Sequence, residues 1–229
     1  LSGTGWGEKF DFIIIHESAH EWFANSITYE DAADMWVHES FANYAESLYL
    51  EYYFGKQAGL EYVLGCRKNI MNDRPIIGIY NVNFEGSGDM YYKGGSMLNT
   101  LRQIVGDDEK WRGILREMNR DFYHKVVKGL QIEDYLSEKT GLNLKSFFDQ
   151  YLRDTRVPVL EYYVVDNKLT FRWTDCVSGF NMPLKIYVSG AGKNINPKRG
   201  FSTIDLETNN PVITVDPNYY VGVMNMTGK

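Results

Sequence analysis

The pentapeptide His16-Glu17-Ser18-Ala19-His20 constrains this chain more than any other stretch of it. It reads H-E-x-x-H. Positions i and i+4 share one face of a helix, so the segment is predicted to be helical, with both imidazoles able to reach one metal ion. Glu17 follows His16 directly and points beside that ion, where it can hold a water and take its proton. Zinc lowers the pKa of a bound water toward ~7, so hydroxide becomes available at neutral pH. The chain has only 4 histidines in 229 residues, and an accidental match is expected in roughly one such chain in two hundred.

A catalytic zinc takes a third protein ligand and keeps one position open. The candidates downstream are Glu21, Asp31, Asp34, His38 and Glu39. Glu21 is turned about 100° from His20 on a helix and cannot easily share the metal. A longer zinc pattern with a third histidine fails, because Phe23 and Ser26 stand where Gly and His are needed. Glu39 comes after eighteen intervening residues and falls on a second predicted helix. A helix–turn–helix of that length can fold back and present a carboxylate to the first helix.

The surrounding pattern is α+β. Helices are expected at Phe10–Ile27, at Met35–Phe54 with Asp34 as its cap, at Ala58–Met71, at Met90–Val105, from Asp107 onward, and near Ile132–Lys139 and Leu144–Leu152. Gly94 and Gly95 weaken the fourth of these. Arg74 to Gly88 reads as a loop broken by Pro75, Gly78 and Gly86. After Pro158 the texture changes to β-branched and aromatic runs: Val159–Val165, Lys168–Thr174, Leu184–Val188, Phe201–Leu206, Val212–Val215 and Tyr219–Met224. Asp166-Asn167 falls between the first two as a hairpin turn. The expected organisation is a helical lobe over residues 1–157 and a small antiparallel, sandwich-like β-domain over 158–229.

Beyond the pentapeptide, the residues resemble a known family. Glu39 with Ser40-Phe41-Ala42, Trp22-Phe23 after the motif and Trp36 before Glu39 are similar to the zinc signature of the M1 aminopeptidases, the gluzincin group. Tyr91-Tyr92-Lys93-Gly94 resembles that family's Tyr-x-Lys-Gly element, and Phe147-Phe148-Asp149-Gln150-Tyr151 the end of its catalytic domain. The resemblance implies a thermolysin-like zinc-peptidase lobe and one Zn2+ per chain, held by His16, His20 and Glu39. It implies Glu17 as general base and Tyr91 as donor to the oxyanion of the tetrahedral intermediate. A peptide substrate, shortened from its N-terminus, would be the partner.

The chain departs from the family pattern in places. His38 stands before the third ligand where Asn is usual, and Ser40 after it where Gly is common; His38 reads as either a residue supporting the ligands or a surface residue, the surface being favoured. The Gly-x-Met-Glu-Asn element that grips the substrate's amine does not precede the zinc motif, and Gly222-Val223-Met224-Asn225 is only a faint echo of it. The sequence therefore reads as a C-terminal fragment with little activity alone, whose missing N-terminal region completes the site. A thermolysin-type endopeptidase and a non-catalytic zinc-binding module are the alternatives.

Composition removes other classes. Hydrophobic residues make up 44% and charged residues 24%, a globular balance, and the net charge of −6 with no Lys/Arg stripe argues against nucleic acid. The longest apolar run, Phe12 to Ile15, is too short to span a bilayer. Cys66 and Cys176 read as two buried thiols, with one disulfide as the alternative. Leu1 to Gly7 lacks the basic start of a signal peptide, so no compartment is assigned.

Overall fold

The computed structural model describes residues 3–208 and 210–228. The chain forms two compact units, Leu1–Thr155 and Arg156–Lys229.

The first unit is helical: α1 (Phe12–Ala19), α2 (Trp36–Phe54), α3 (Lys56–Cys66), α4 (Asp89–Val105), α5 (Asp108–Asp121), α6 (Gly129–Thr140) and α7 (Lys145–Arg153). Two short strands, β1 (Ile27–Tyr29) and β2 (Lys125–Val127), pair in parallel, Ile27 opposite Lys125 and Tyr29 opposite Val127. Helix α2 is the central element, lying against α1, α3 and α4. Trp36, Phe41, Leu50, Leu98, Trp111 and Tyr151 are almost wholly buried in this unit.

Gly94 and Gly95 do not break α4; they let it approach α2. A Cβ on Gly94 would lie 1.9 Å from Ser40 Oγ, and one on Gly95 would lie 2.2 Å from Asn43 Oδ1. Glycine inside a helix costs about 1 kcal/mol relative to alanine, and here close packing of two helices offsets it. The Ser40 hydroxyl uses the proximity, donating to the Met90 carbonyl at 2.7 Å.

Several helix ends differ from expectation, among them α3, which stops at Cys66 and not Met71. Helix α1 stops at Ala19, not Ile27. The chain turns tightly after His20, with the Asn25 N–H donating to the His20 carbonyl at 2.8 Å, and β-branched Ile27 and Thr28 then join β2. Tertiary pairing overrides the apolar helical pattern there. Asp34 does not cap α2. Asp31 caps a 3-10 turn over Ala32–Asp34, and the buried Asp34 carboxylate accepts the Tyr80 hydroxyl at 2.7 Å and the Gly129 N–H at 2.8 Å. Asp107 caps α5, accepting from the Glu109 and Lys110 N–H groups.

The second unit holds β3 (Val159–Val165), β4 (Lys168–Thr174), β5 (Leu184–Val188), β6 (Ala191–Ile195), β7 (Ser202–Asp205), β8 (Ile213–Val215) and β9 (Gly222–Asn225). They form a four-stranded sheet in the order β7-β4-β3-β9 and a three-stranded sheet in the order β6-β5-β8. Asp166 and Asn167 turn the β3–β4 hairpin with φ of 48° and 59°, as a two-residue hairpin loop with left-handed central residues requires. All pairs are antiparallel except β3–β9, which runs parallel. Trp173 and Phe180 meet edge-on at 5.4 Å among the buried residues of this unit. Among the described residues, no helix is long and apolar enough to cross a membrane.

Candidate active site

Asp11 starts the helix that carries the pentapeptide, its carboxylate accepting the N–H groups of Ile13 and Ile14. His16 lies within α1, and His20 caps its end while keeping helical φ and ψ of −64° and −14°. The i, i+4 relation therefore survives although the helix ends there. The two imidazoles stand edge to face, 4.8 Å apart between ring centres.

Glu39, in the first turn of α2, closes the group. Its Oε2 lies 3.0 Å from His16 Nε2 and 3.6 Å from His20 Nε2. Among the described residues this is the one cluster of His, Cys, Asp or Glu side chains whose ligand atoms converge as a metal site requires. The other candidates lie elsewhere. Glu21 accepts from the Asn25 amide, Asp31 from Ala33 and Asn81, and Asp34 from Tyr80 and Gly129.

The donor set fits zinc. Zinc takes imidazole nitrogens and carboxylate oxygens, and here two such nitrogens and one such oxygen lie within 4.8 Å of one another, Glu39 Oε2 being 3.0 and 3.6 Å from the two nitrogens. The outward nitrogens are also held. His16 Nδ1 faces Glu46 Oε1 at 2.8 Å, and His20 Nδ1 donates to the Phe23 carbonyl at 3.0 Å. Fixing Nδ1 in this way leaves Nε2 free for a metal and orients each ring. Burial disfavours a charged His16, but the hydrogen bonds to Glu39 and Glu46 outweigh it and carry its pKa up to about 9. An imidazole set between two carboxylates is a place for positive charge, whether proton or metal.

Glu17 is exposed on α1. Tyr91, in the first turn of α4, has its ring 5.8 Å from that of His16. Burial first, then the charges of Glu39, Glu85 and Glu17, push its hydroxyl up to about 12. The phenol therefore stays protonated, and a donor, throughout the neutral range. Lys93 is buried and donates to the Asp154 carbonyl at 2.9 Å, tying α4 to the end of α7.

His38 is not a surface residue. It is half-buried, its ring 4.2 Å from that of Tyr29, and its Nε2 accepts the Tyr29 N–H at 3.2 Å. Burial lowers its pKa to about 4, so it is neutral at pH 7 and suited to accept. Phe23 stacks on Phe41 at 4.7 Å, and Trp36 is fully buried beside Phe41. Cys66 and Cys176 are both buried.

Sequence reasoning missed Glu46. It is only 2% exposed and sits two helical turns beyond Glu39 on the same face of α2. Its residue type and register alone did not set it apart from a surface acid.

Residues 7–151 match the Peptidase family M1 domain. The chain belongs to this family. Among M1 relatives, the aminopeptidase N of Lactococcus lactis subsp. lactis is 29% identical over 176 residues, covering 71% of this chain and 20% of that protein. The glutamyl aminopeptidase of Sus scrofa is 28% identical over 159 residues, covering 65% and 17%. The fold resembles the crystal structure of Legionella pneumophila aminopeptidase A in complex with aspartic acid, with a TM-score of 0.68 at 15% identity over 93% of this chain and 26% of that one. The chain thus spans about a fifth of the length of these two curated relatives.

Proposed function

We propose that these residues form the catalytic centre of a zinc-dependent aminopeptidase that releases single residues from peptide N-termini. The observation that carries the reading is the convergence of His16 Nε2, His20 Nε2 and Glu39 Oε2 beside Glu17 in a family M1 chain. Zinc bound there supplies an activated water and polarises the scissile carbonyl.

The protein's own groups do the rest. Glu17 accepts the proton of the attacking water on its carboxylate and passes it to the leaving amine. Tyr91 donates its hydroxyl hydrogen to the carbonyl oxygen as negative charge builds there. Glu46 and the Phe23 carbonyl hold the ligand rings in place. The matched part of this chain covers only 20% and 17% of these two relatives, which supports a further part of the proposal. Residues that grip the substrate's amine lie in a longer protein, and residues 1–229 alone turn over little.

The test compares free and N-acetylated peptides with the longer protein, alongside zinc content. Cleavage of free peptides by wild type, with zinc retained but turnover lost in Glu17→Gln, is the expected result. Cleavage confined to blocked peptides would replace the exopeptidase reading with an endopeptidase one.

A further inference from the structure

Behind the metal-facing nitrogens, α1, α2 and α3 close over a buried polar chain. Glu46 lies beside an apolar cluster of Phe10, Leu50, Ala58, Tyr62 and Cys66. A carboxylate withdrawn from water persists in such a place only if its oxygens are hydrogen-bonded. Glu46 Oε1 accepts from His16 Nδ1 at 2.8 Å and from the Asn43 amide at 3.3 Å. The other oxygen, Oε2, accepts the Tyr62 hydroxyl.

That division of labour matters. Contacts at Oε1 alone would leave the carboxylate free to rotate about its last bond. The Tyr62 hydroxyl holds the second oxygen and removes that freedom. The Tyr62 ring is itself fixed, only 1% exposed and edge-on to Phe10 at 5.3 Å. Burial and the Glu46 charge push the phenol well above its ordinary range, so it remains a donor. The Cys66 thiol meets the same hydroxyl and, raised by burial to about 12, stays protonated.

We infer that Tyr62 is a positioning residue for the metal centre: by locking Glu46 it aims His16 Nε2 at the ion. This rests on the zinc reading above and extends it by one layer, to a residue that touches neither metal nor substrate.

The experiment is zinc affinity of the 229-residue chain at pH 7, measured by competition with a chromophoric chelator. Tyr62→Phe keeps the ring and deletes the donor. Loss of an outer partner of a metal-bound histidine lowers affinity roughly 10–100-fold, and a fall of about tenfold is expected for this more remote group. In a Glu46→Gln background, Tyr62→Phe should add little, because the path runs through Glu46. Tyr49→Phe, on a partly buried ring packed against the same cluster, should leave the affinity unchanged. If Tyr62→Phe does not fold, 4-fluorophenylalanine placed at position 62 fills the volume without donating and should show the same loss. Wild-type affinity in the non-donating variants, or an undiminished effect in the Glu46→Gln background, would overturn the inference. Failure of the unaltered chain to bind zinc would instead overturn the zinc reading, and this inference with it.

Discussion

Gly94 on α4 sits so close to Ser40 on α2 that any side chain at 94 would collide with the Ser40 side chain, the nearest atom being 1.9 Å from the added carbon. This contact sets the separation between the helix that carries Glu39 and the helix that carries Tyr91.

Gly94→Ala should therefore destabilise the protein. The better helix former gains about 1 kcal/mol, but forcing an extra carbon into a packed interface costs about 1–3 kcal/mol and more where backbone must move. Gly113→Ala is the control, since a Cβ there meets nothing within 4 Å. It should stabilise by about 0.5–1 kcal/mol. Urea unfolding of the two variants at pH 7 checks the opposite signs. Equal effects would show that the α2–α4 contact is not tight.

Removing a ligand should abolish the stabilisation that metal confers. A metal that binds only the folded state raises the midpoint of thermal unfolding in proportion to the logarithm of its concentration over its Kd. Added zinc should raise the melting temperature of the wild-type chain, and chelator should lower it again. Glu39→Ala should show neither response. Calorimetry with and without zinc reads the difference.

Tyr91→Phe should keep zinc and lose turnover in the longer protein. Losing one donor to a developing oxyanion lowers kcat by roughly 10²–10³. The wild-type hydroxyl, raised to about 12, remains a donor well above neutral pH. Any alkaline fall in rate below about pH 10 should then persist unchanged in Tyr91→Phe, an outcome that a pH–rate profile of both proteins measures.

Acid should weaken a second cluster, remote in sequence from His16, His20 and Glu39. Arg102 donates to both oxygens of Glu51 and, through Nε, to Asp108 at 2.8 Å. The hydrogen bond from Arg102 is the main cause that holds the Asp108 carboxyl below its ordinary value, with Lys56 adding to it. A depressed carboxylate contributes stability above its unfolded pKa near 3.8, and that stability is lost as pH falls toward the folded value. Asp108→Asn should thus be less stable than wild type at pH 7, and the gap should narrow progressively below about pH 5. Denaturant unfolding across that range tests the convergence.

Legibility in the sequence followed how local each feature is. Strands β3, β4 and β5 were readable to the residue because alternation and the Asp166-Asn167 turn are local signals. The Asp107 cap was equally plain. Strand β6 carries no such signal, since Ala191-Gly192-Lys193-Asn194 is polar and exposed and exists through its pairing with β5. The parallel pairs β1–β2 and β3–β9 join residues far apart in sequence, so nothing local announces them. The pentapeptide and its distant Glu39 were visible as residue types at a spacing. Glu46 was not, because a buried acid and a surface acid look alike until the helix is placed. His38 was misjudged for the same reason: its half-burial depends on Tyr29, which arrives by way of β1.

The β1–β2 ladder bears on when the metal site can exist. Strand β1 lies on the connector between His20 and Glu39, and it is held by β2 at Lys125–Val127. A growing chain emerges from the ribosome N-terminus first, so His16, His20 and Glu39 are all synthesised long before the strand that fixes their connector. Early in synthesis the three side chains are present but tethered by an unanchored link, a state in which loop closure opposes their meeting. Completion of β2 removes that opposition. Closure of the His16–His20–Glu39 group is thereby tied to the arrival of the chain's middle third.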